Sequence, residues 1–112
     1  MIEGKLEGRA AYIKLDGEIL KTERELLEDF HLQLKASIAD IIIIDVGRCR
    51  MIEEQCLRPL IQMQACIRSR PSGNVFIIGA SNRLKESLLK KGAVRAQETY
   101  ENLSLIKNAL AA

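Results

Sequence analysis

The sequence predicts an α/β fold in which a mixed sheet of four or five strands packs with about four helices. Short apolar segments alternate along the chain with longer segments of helical spacing, which is typical of parallel strands joined by right-handed crossovers. Its apolar residues are mainly aliphatic, since there is no Trp and only two Phe and two Tyr. A length of 112 residues suits one domain, 1–112, with a single core.

The chain begins with a predicted β-hairpin. Residues 1–6 and 10–19 show short alternating patterns, and Gly8 between them can supply the positive φ of a tight turn. This hairpin makes the sheet mixed. In the second strand Ala11, Ile13 and Leu15 are expected on one face, and Tyr12 and Lys14 on the other.

A helix is predicted over 23–37. Thr22 and Glu25 have the spacing of a capping box, in which each side chain bonds the backbone at the other end of the first turn. Apolar residues then recur at helical spacing. They are Leu26, Leu27, Phe30 and Leu34.

The middle of the chain predicts a central strand, 40–46, followed by a helix over 54–69. The strand is β-branched on both faces, as expected of a strand covered on both sides and therefore the most buried element. Pro59 lacks an N–H and disfavours helical geometry in the residue before it. We therefore expect a late helix start, with residues 53–56 in an irregular or 3₁₀ turn.

The last third of the chain predicts two more strands and two more helices. Residues 74–79 form a short buried strand, and Asn82 is the expected N-cap of the helix that follows. Gly92 suits the left-handed position after that helix. A brief strand around 93–96 and a final helix over 103–110 complete the pattern.

Composition excludes several classes of function. The 17 basic and 15 acidic residues give a net charge of only +2, so no polyanion-binding surface of a nucleic-acid binder is indicated. The longest apolar run, 38–45, is far shorter than the ~20 residues that span a bilayer, and the N-terminus has no apolar core of a signal peptide. These features, with an odd number of cysteines, predict a soluble cytoplasmic protein.

The order and wording of these segments resemble the STAS domain family, which includes bacterial anti-sigma factor antagonists and parts of sulphate transporters. The resemblance covers nearly the whole chain and implies the STAS fold. The similar stretches are "YIKLDGEI" at 12–19, "DIIIIDVGRC" at 40–49, "NVFIIGASNRLKESLLKKGA" at 74–93 and "YENLSLIKNAL" at 100–110.

The family's diagnostic D-S-S/T-G-L word falls on "EEQCL" at 53–57. The resemblance implies that Glu53 replaces the aspartate and Glu54 the serine that a kinase phosphorylates in the antagonists. Gln55 replaces the second hydroxyl residue and Cys56 the glycine, while Leu57 matches. No phosphorylation is therefore expected at this position.

Glu54 has two interpretations. A carboxylate at a helix start is stabilised by the unpaired N–H groups and the helix dipole, by about 0.3–1 kcal/mol. Alternatively, its permanent charge imitates phosphoserine, which carries roughly −1.5 to −2, and fixes the surface in a state like the phosphorylated one.

Arg48, Arg50 and Arg58 surround the two glutamates. They can pair with those carboxylates, stay solvated, or form the rim of a protein interface, where charge sets partner choice and association rate. We take Glu53, Glu54, Gln55 and Cys56 together with these arginines as the candidate partner-binding site.

Enzyme activity is not expected. Adjacent Glu53 and Glu54 diverge by about 100° on a helix and cannot flank one substrate atom. His31 is the single histidine, and the three cysteines lack metal-ligand spacing, so neither metal nor cofactor is predicted. Cys49, between two arginines, is a weaker candidate for a reactive thiol with a lowered pKa.

Two functions from different classes follow. The first is a protein-binding module resembling an anti-sigma factor antagonist in bacterial partner switching and transcription regulation, without the phosphoswitch. Its expected partner is an anti-sigma factor, a histidine-kinase-type ATPase or another signalling protein. The second is an accessory subunit of a membrane transport system of the ABC type. The sequence leaves the oligomeric state open.

Overall fold

The fold is built on a five-stranded sheet in which the strands lie side by side in chain order, seen in a computed structural model that describes residues 1–106. β1 is antiparallel to β2, and the pairs β2–β3, β3–β4 and β4–β5 are parallel. The predicted α/β fold with a mixed sheet is confirmed. The strands are β1 (Ile2–Glu7), β2 (Ala10–Ile19), β3 (Ile41–Ile52), β4 (Asn74–Ile78) and β5 (Thr99–Tyr100).

Helices connect the parallel strands. They are α1 (Arg24–Lys35), α2 (Glu54–Arg68) and α3 (Asn82–Lys90), with 3₁₀ turns at Lys21–Glu23 and Ala96–Glu98. Residues 103–106 are helical, and the remainder of the helix predicted over 103–110 lies outside the described residues. The strand predicted at 93–96 is wrong, because that segment leads into the second 3₁₀ turn and the fifth strand follows it.

The N-terminal hairpin forms as predicted. Gly8 has a φ of 57°, and Ala11, Ile13 and Leu15 are fully buried. The alternation of β2 therefore places its small and aliphatic residues in the core, as its sequence pattern indicates.

The start of α1 differs from the prediction. Its N-cap residue is Glu23, with no side-chain hydrogen bond to cap the helix, so the capping box between Thr22 and Glu25 is wrong. The Glu23 carboxylate instead accepts from the N–H of Leu20 at 3.3 Å. Leu26, predicted on the apolar face, is 54% exposed.

The N-cap of α3 is Ser81, one residue before the predicted Asn82. The Ser81 hydroxyl accepts from the N–H of Leu84 at 3.2 Å. Gly92 has the predicted left-handed conformation, with a φ of 68°.

The two faces of the sheet bury different clusters. The main core lies between the sheet and α1, α2 and α3, and the opposite face carries a smaller cluster of Phe76, Ile78 and Ile106. Because Val75 and Ile77 point to the first face, all four apolar residues of β4 are buried. The prediction that β3 is the most buried element is therefore wrong: its Ile41 and Ile43 remain half-buried, although the strand is central.

Candidate functional site

The candidate site lies where β3 runs past its neighbour. β4 pairs with β3 only as far as Asp45, whereas β2 stays paired with β3 to Ile52. Two register shifts interrupt this pairing, and such irregularities bend a strand and increase its twist. Residues 48–52, here called the β3 extension, thus form one strand of a two-stranded ribbon beside the start of α2.

Glu53 makes the turn from the β3 extension into α2. Its backbone is extended, with φ −64° and ψ 149°. Its N–H donates to the carbonyl of Ile19 at 2.8 Å, while its own carbonyl accepts from the N–H of Cys56 at 2.9 Å. Strand pairing therefore passes into helix within one residue.

The side chains of Glu53 and Cys56 reach the chain that leaves β2. The Glu53 carboxylate accepts from the N–H of Lys21 at 2.9 Å, and the thiol of Cys56 donates to the carbonyl of Leu20 at 3.2 Å. Both groups satisfy backbone atoms around the 3₁₀ turn that precedes α1. These two positions of the diagnostic word consequently hold the start of α1 against the start of α2.

Glu54 is the first residue of α2 and is exposed, as is Gln55. Its carboxylate forms no ion pair with any residue of the described part of the chain. The position at a helix start is as predicted, and the dipole favours negative charge there by about 0.3–1 kcal/mol. Glu54 is thus available to a partner, whereas Glu53 is occupied.

The late start predicted for α2 is wrong. The helix begins at Glu54, and Pro59 is its sixth residue. The proline removes a single intrahelical bond, to the carbonyl of Gln55 in the exposed first turn. Pro59 itself is buried, so its ring contributes to packing.

The three arginines of the site are exposed and do not pair with Glu53 or Glu54. Arg58 lines a groove between α1 and α2, and Arg50 lines a cleft beside α3. Arg48 lies on the β3 extension, two residues before Arg50. Arg50 and Arg58 therefore line different grooves rather than forming one cluster.

The cysteines are poorly suited to reactivity. Cys49 and Cys56 are buried, and burial raises the pKa of the Cys49 thiol from its ordinary value of 9.0 to about 11. Burial also raises the pKa of the Cys56 thiol, with the Glu53 carboxylate adding to the shift. The suggestion that neighbouring arginines lower the Cys49 pKa is therefore wrong, because desolvation by burial is the largest influence on this thiol and raises its pKa.

We expect thiol-labelling rates to follow this burial. At pH 8 the raised pKa of Cys49 lowers its thiolate fraction by about a hundredfold relative to an ordinary thiol, so Ellman's reagent should modify the half-buried Cys66 first. A Cys66→Ser variant should lose the fast phase and keep two slow thiols, which appear in full on denaturation in urea. Fast modification of Cys49 in that variant would contradict the burial described above.

Residues 1–106 contain no group of three His, Cys, Asp or Glu side chains placed to hold a metal ion. His31 lies half-buried on α1, and burial lowers its pKa, with Lys35 adding to the effect. The Glu53 and Glu54 carboxylates differ in surroundings, the first bound to a backbone N–H and the second in solvent. The two carboxylates of the site are therefore not equivalent.

Sequence reasoning missed a polar network at the base of the β3 extension. Asp45 accepts from the N–H of Gly47 at 2.9 Å and from the hydroxyl of Tyr12 at 2.7 Å. Burial and this hydrogen bond raise the pKa of Tyr12 from 10.0 to about 12. The signal available in the sequence was an aspartate that directly follows four isoleucines, and it is the residue at which β4 pairing ends.

No protein-family model matches this sequence, and no curated protein matches it at a significant level. Solved structures do share its fold. The anti-sigma factor antagonist SpoIIAA in its unphosphorylated form superposes with a TM-score of 0.81 at 11% identity, covering 100% of this chain and 98% of that one. An anti-sigma factor antagonist from Mycobacterium paratuberculosis gives 0.75 at 13% identity, covering 100% and 94%.

A transporter domain is similar as well. The STAS domain of a SulP transporter from Vibrio cholerae superposes with a TM-score of 0.65 at 20% identity, covering 96% of this chain and 89% of that one. The chain therefore has the fold of STAS domain proteins. At these identities the likeness is one of fold, and the residues of the site carry the functional argument.

Proposed function

We propose that residues 1–112 form a non-catalytic protein-binding module that resembles an anti-sigma factor antagonist but has no phosphoswitch. One observation carries this proposal. The exposed charges at the start of α2, Glu54 with Arg48, Arg50 and Arg58, have no ion-pair partner among the described residues. We propose that they form the rim of a protein interface, where charge sets partner choice and association rate.

The loss of the switch has a chemical basis. Segment 48–60 contains no Ser, Thr or Tyr, so it offers no hydroxyl to a kinase. Glu54 supplies a permanent charge at the position that the resemblance aligns with the phosphorylated serine. We propose that the partner recognises this charge constitutively, and that the partner is an anti-sigma factor, a histidine-kinase-type ATPase or another signalling protein of a bacterial cytoplasm.

An accessory subunit of a membrane transport system is the second candidate. It is supported by the likeness to a SulP transporter STAS domain. No helix within residues 1–106 is long and apolar enough to cross a membrane, so in this candidate the chain attaches to the membrane component of an ABC-type system. The identity of the captured partner discriminates between the two candidates.

Substitution of Glu54 tests the proposal. The full chain is used to capture partners from the native cytoplasm and membrane fractions, and the purified partner is then titrated by calorimetry. Glu54→Ser should weaken binding by about tenfold, equivalent to about 1.4 kcal/mol. Glu54→Asp should retain most of the affinity because the charge is kept.

Glu25→Ser is the matched control, because Glu25 is an exposed glutamate in the first turn of α1. Both serine variants should unfold within about 1 kcal/mol of the parent, since serine favours helix starts. Parent-like binding by Glu54→Ser, or an equal loss in Glu25→Ser, would show that Glu54 is only a helix-start acid.

A further inference from the structure

A basic cleft with a volume of about 370 Å³ lies beside the site, between the β3 extension, the first turn of α2 and α3. Its apolar wall contains Leu57 from α2 and Leu84 and Leu88 from α3. These leucines are almost fully buried, so the cleft is shallow along its apolar side and is bordered by polar groups. We call it the α2–α3 cleft.

The polar border of the α2–α3 cleft carries one sign of charge. Arg50, Arg83 and Lys91 line it, together with the hydroxyl-bearing Ser87, and no carboxylate does. All three cations are exposed and form no ion pair with any residue in 1–106. A concave surface with low-dielectric walls and like charges concentrates its field, so the cleft attracts negative charge.

The spacing of the cations indicates the size of the ligand. Arg83 lies in the first turn of α3 and Lys91 is its C-cap residue. Eight residues of helix separate them by about 12 Å, too far for one phosphate group to contact both. Leu84 and Leu88 lie between them but are only 5% and 4% exposed, so the apolar side chain that the cleft offers to a ligand is Met51, which is 40% exposed.

We propose that the α2–α3 cleft docks an acidic amphipathic helix of a partner protein. An apolar residue of that helix would contact Met51, the exposed apolar side chain of the cleft. Carboxylates about two turns apart would meet Arg83 and Lys91, as in helix-in-groove recognition. Arg50 belongs both to this cleft and to the candidate site. The inference therefore rests on the proposed function and extends its surface from the start of α2 along α3.

The direct test uses two synthetic peptides and isotope-labelled full-length protein. One peptide is an amphipathic helix of about 15 residues with leucines on one face and glutamates beside them, and the other has every glutamate replaced by glutamine. The acidic peptide should shift the NMR signals of the backbone amides of Arg50, Leu57, Arg83, Ser87 and Lys91. High salt should weaken the binding of this peptide. The inference is overturned if the dissociation constant of the acidic peptide is above about 1 mM, or if the glutamine peptide binds equally well.

Charge reversal provides the matched comparison. The double variant Arg83→Glu/Lys91→Glu removes two cations of the cleft and should lower the affinity for the acidic peptide by at least about tenfold. The control variant, Lys90→Glu/Arg95→Glu, makes the same charge change at exposed residues outside the cleft. Its affinity for the acidic peptide should stay within about twofold of that of the parent protein. An equal loss in both pairs means that net charge alone attracts the peptide, which also overturns the inference.

Small anions and the native partner complete the design. If inorganic pyrophosphate produces the same shifts while the acidic peptide does not bind, the cleft is a small-anion site and the helix assignment is wrong. If the captured partner still binds the Arg83→Glu/Lys91→Glu variant but does not bind Glu54→Ser, the cleft is not its docking site. The proposed function is unaffected by that result. If the parent protein captures no protein from any fraction, the proposed function fails. The peptide titrations then still decide whether the α2–α3 cleft binds an acidic helix.

Discussion

Gly79→Ala should destabilise the protein by roughly 2–5 kcal/mol, one of the two largest effects that we expect. Gly79 follows β4 with a φ of 78°, and a Cβ there would lie 2.7 Å from the Cα of Gly47 at the base of the β3 extension. The left-handed backbone and the contact with another backbone segment both oppose a side chain. Urea denaturation followed by circular dichroism measures the loss.

Gly92→Ala separates the two causes. Gly92 has a similar φ of 68°, but a Cβ at that position meets nothing within 4 Å. Only the conformational cost remains, so we expect about 1 kcal/mol. If the two variants lose equal stability, the approach of Gly79 to Gly47 does not restrict the fold, and the β3 extension is not held in place by this contact.

The pattern of the sequence was sufficient for the strands and helices of the main core. Alternation predicted β2 with Ala11, Ile13 and Leu15 on one face, which is the buried face, and the aliphatic run predicted β3 at the centre of the sheet. These signals are local and repeat over several residues, so they survive in the folded protein. By contrast β5 has two residues and exists through its pairing with β4, a partner that no local pattern reveals.

The helix boundaries depended on contacts distant in sequence. Pro59 favours a late start for α2, yet the helix begins at Glu54, five residues before the proline. The hydrogen bonds from Glu53 and Cys56 to the backbone of residues 20–21 lie at this helix start. For α3, both Ser81 and Asn82 are good N-cap residues, and it is Ser81 that has the extended backbone and the hydroxyl that accepts from the N–H of Leu84. Local propensity therefore located these helices but not their first residues.

The candidate site was found in part. The register of "EEQCL" predicted Glu54 at a helix start, and the structure has it there in solvent. The bonds of Glu53 and Cys56 to the chain after β2, and the separation of Arg50 from Arg58 into different grooves, are tertiary. The sequence alone gives no distances between these side chains, so it predicted a single charged surface.

Glu98→Ala should be the other large loss, about 3 kcal/mol. The Glu98 carboxylate accepts from Nε and Nη2 of Arg68, with distances between 2.6 and 3.2 Å. Arg68 also donates to Gln64 at 2.9 Å, and Gln64, only 2% exposed, donates to the carbonyl of Ala93 at 2.9 Å. Removing Glu98 leaves a half-buried guanidinium without its counter-charge.

Two comparisons make this prediction specific. Glu28→Ala breaks the i, i+4 pair with Arg24, whose side chains are 44% and 50% exposed, and should cost no more than about 0.5 kcal/mol. Arg68→Met combined with Glu98→Ala removes both charges, so the double variant should be more stable than Glu98→Ala alone. Urea midpoints of five proteins test this: the parent, Glu98→Ala, Arg68→Met, the double variant and Glu28→Ala. A double variant that loses the sum of the Glu98→Ala and Arg68→Met effects would mean that the pair is not coupled. Coupling is expected because the Arg68 and Glu98 side chains bond each other directly, at 2.6–3.2 Å. Glu98 also directly precedes β5, whose Tyr100 carbonyl accepts from the N–H of Gly79 at 3.0 Å, so the pair ties the last strand of the sheet to α2.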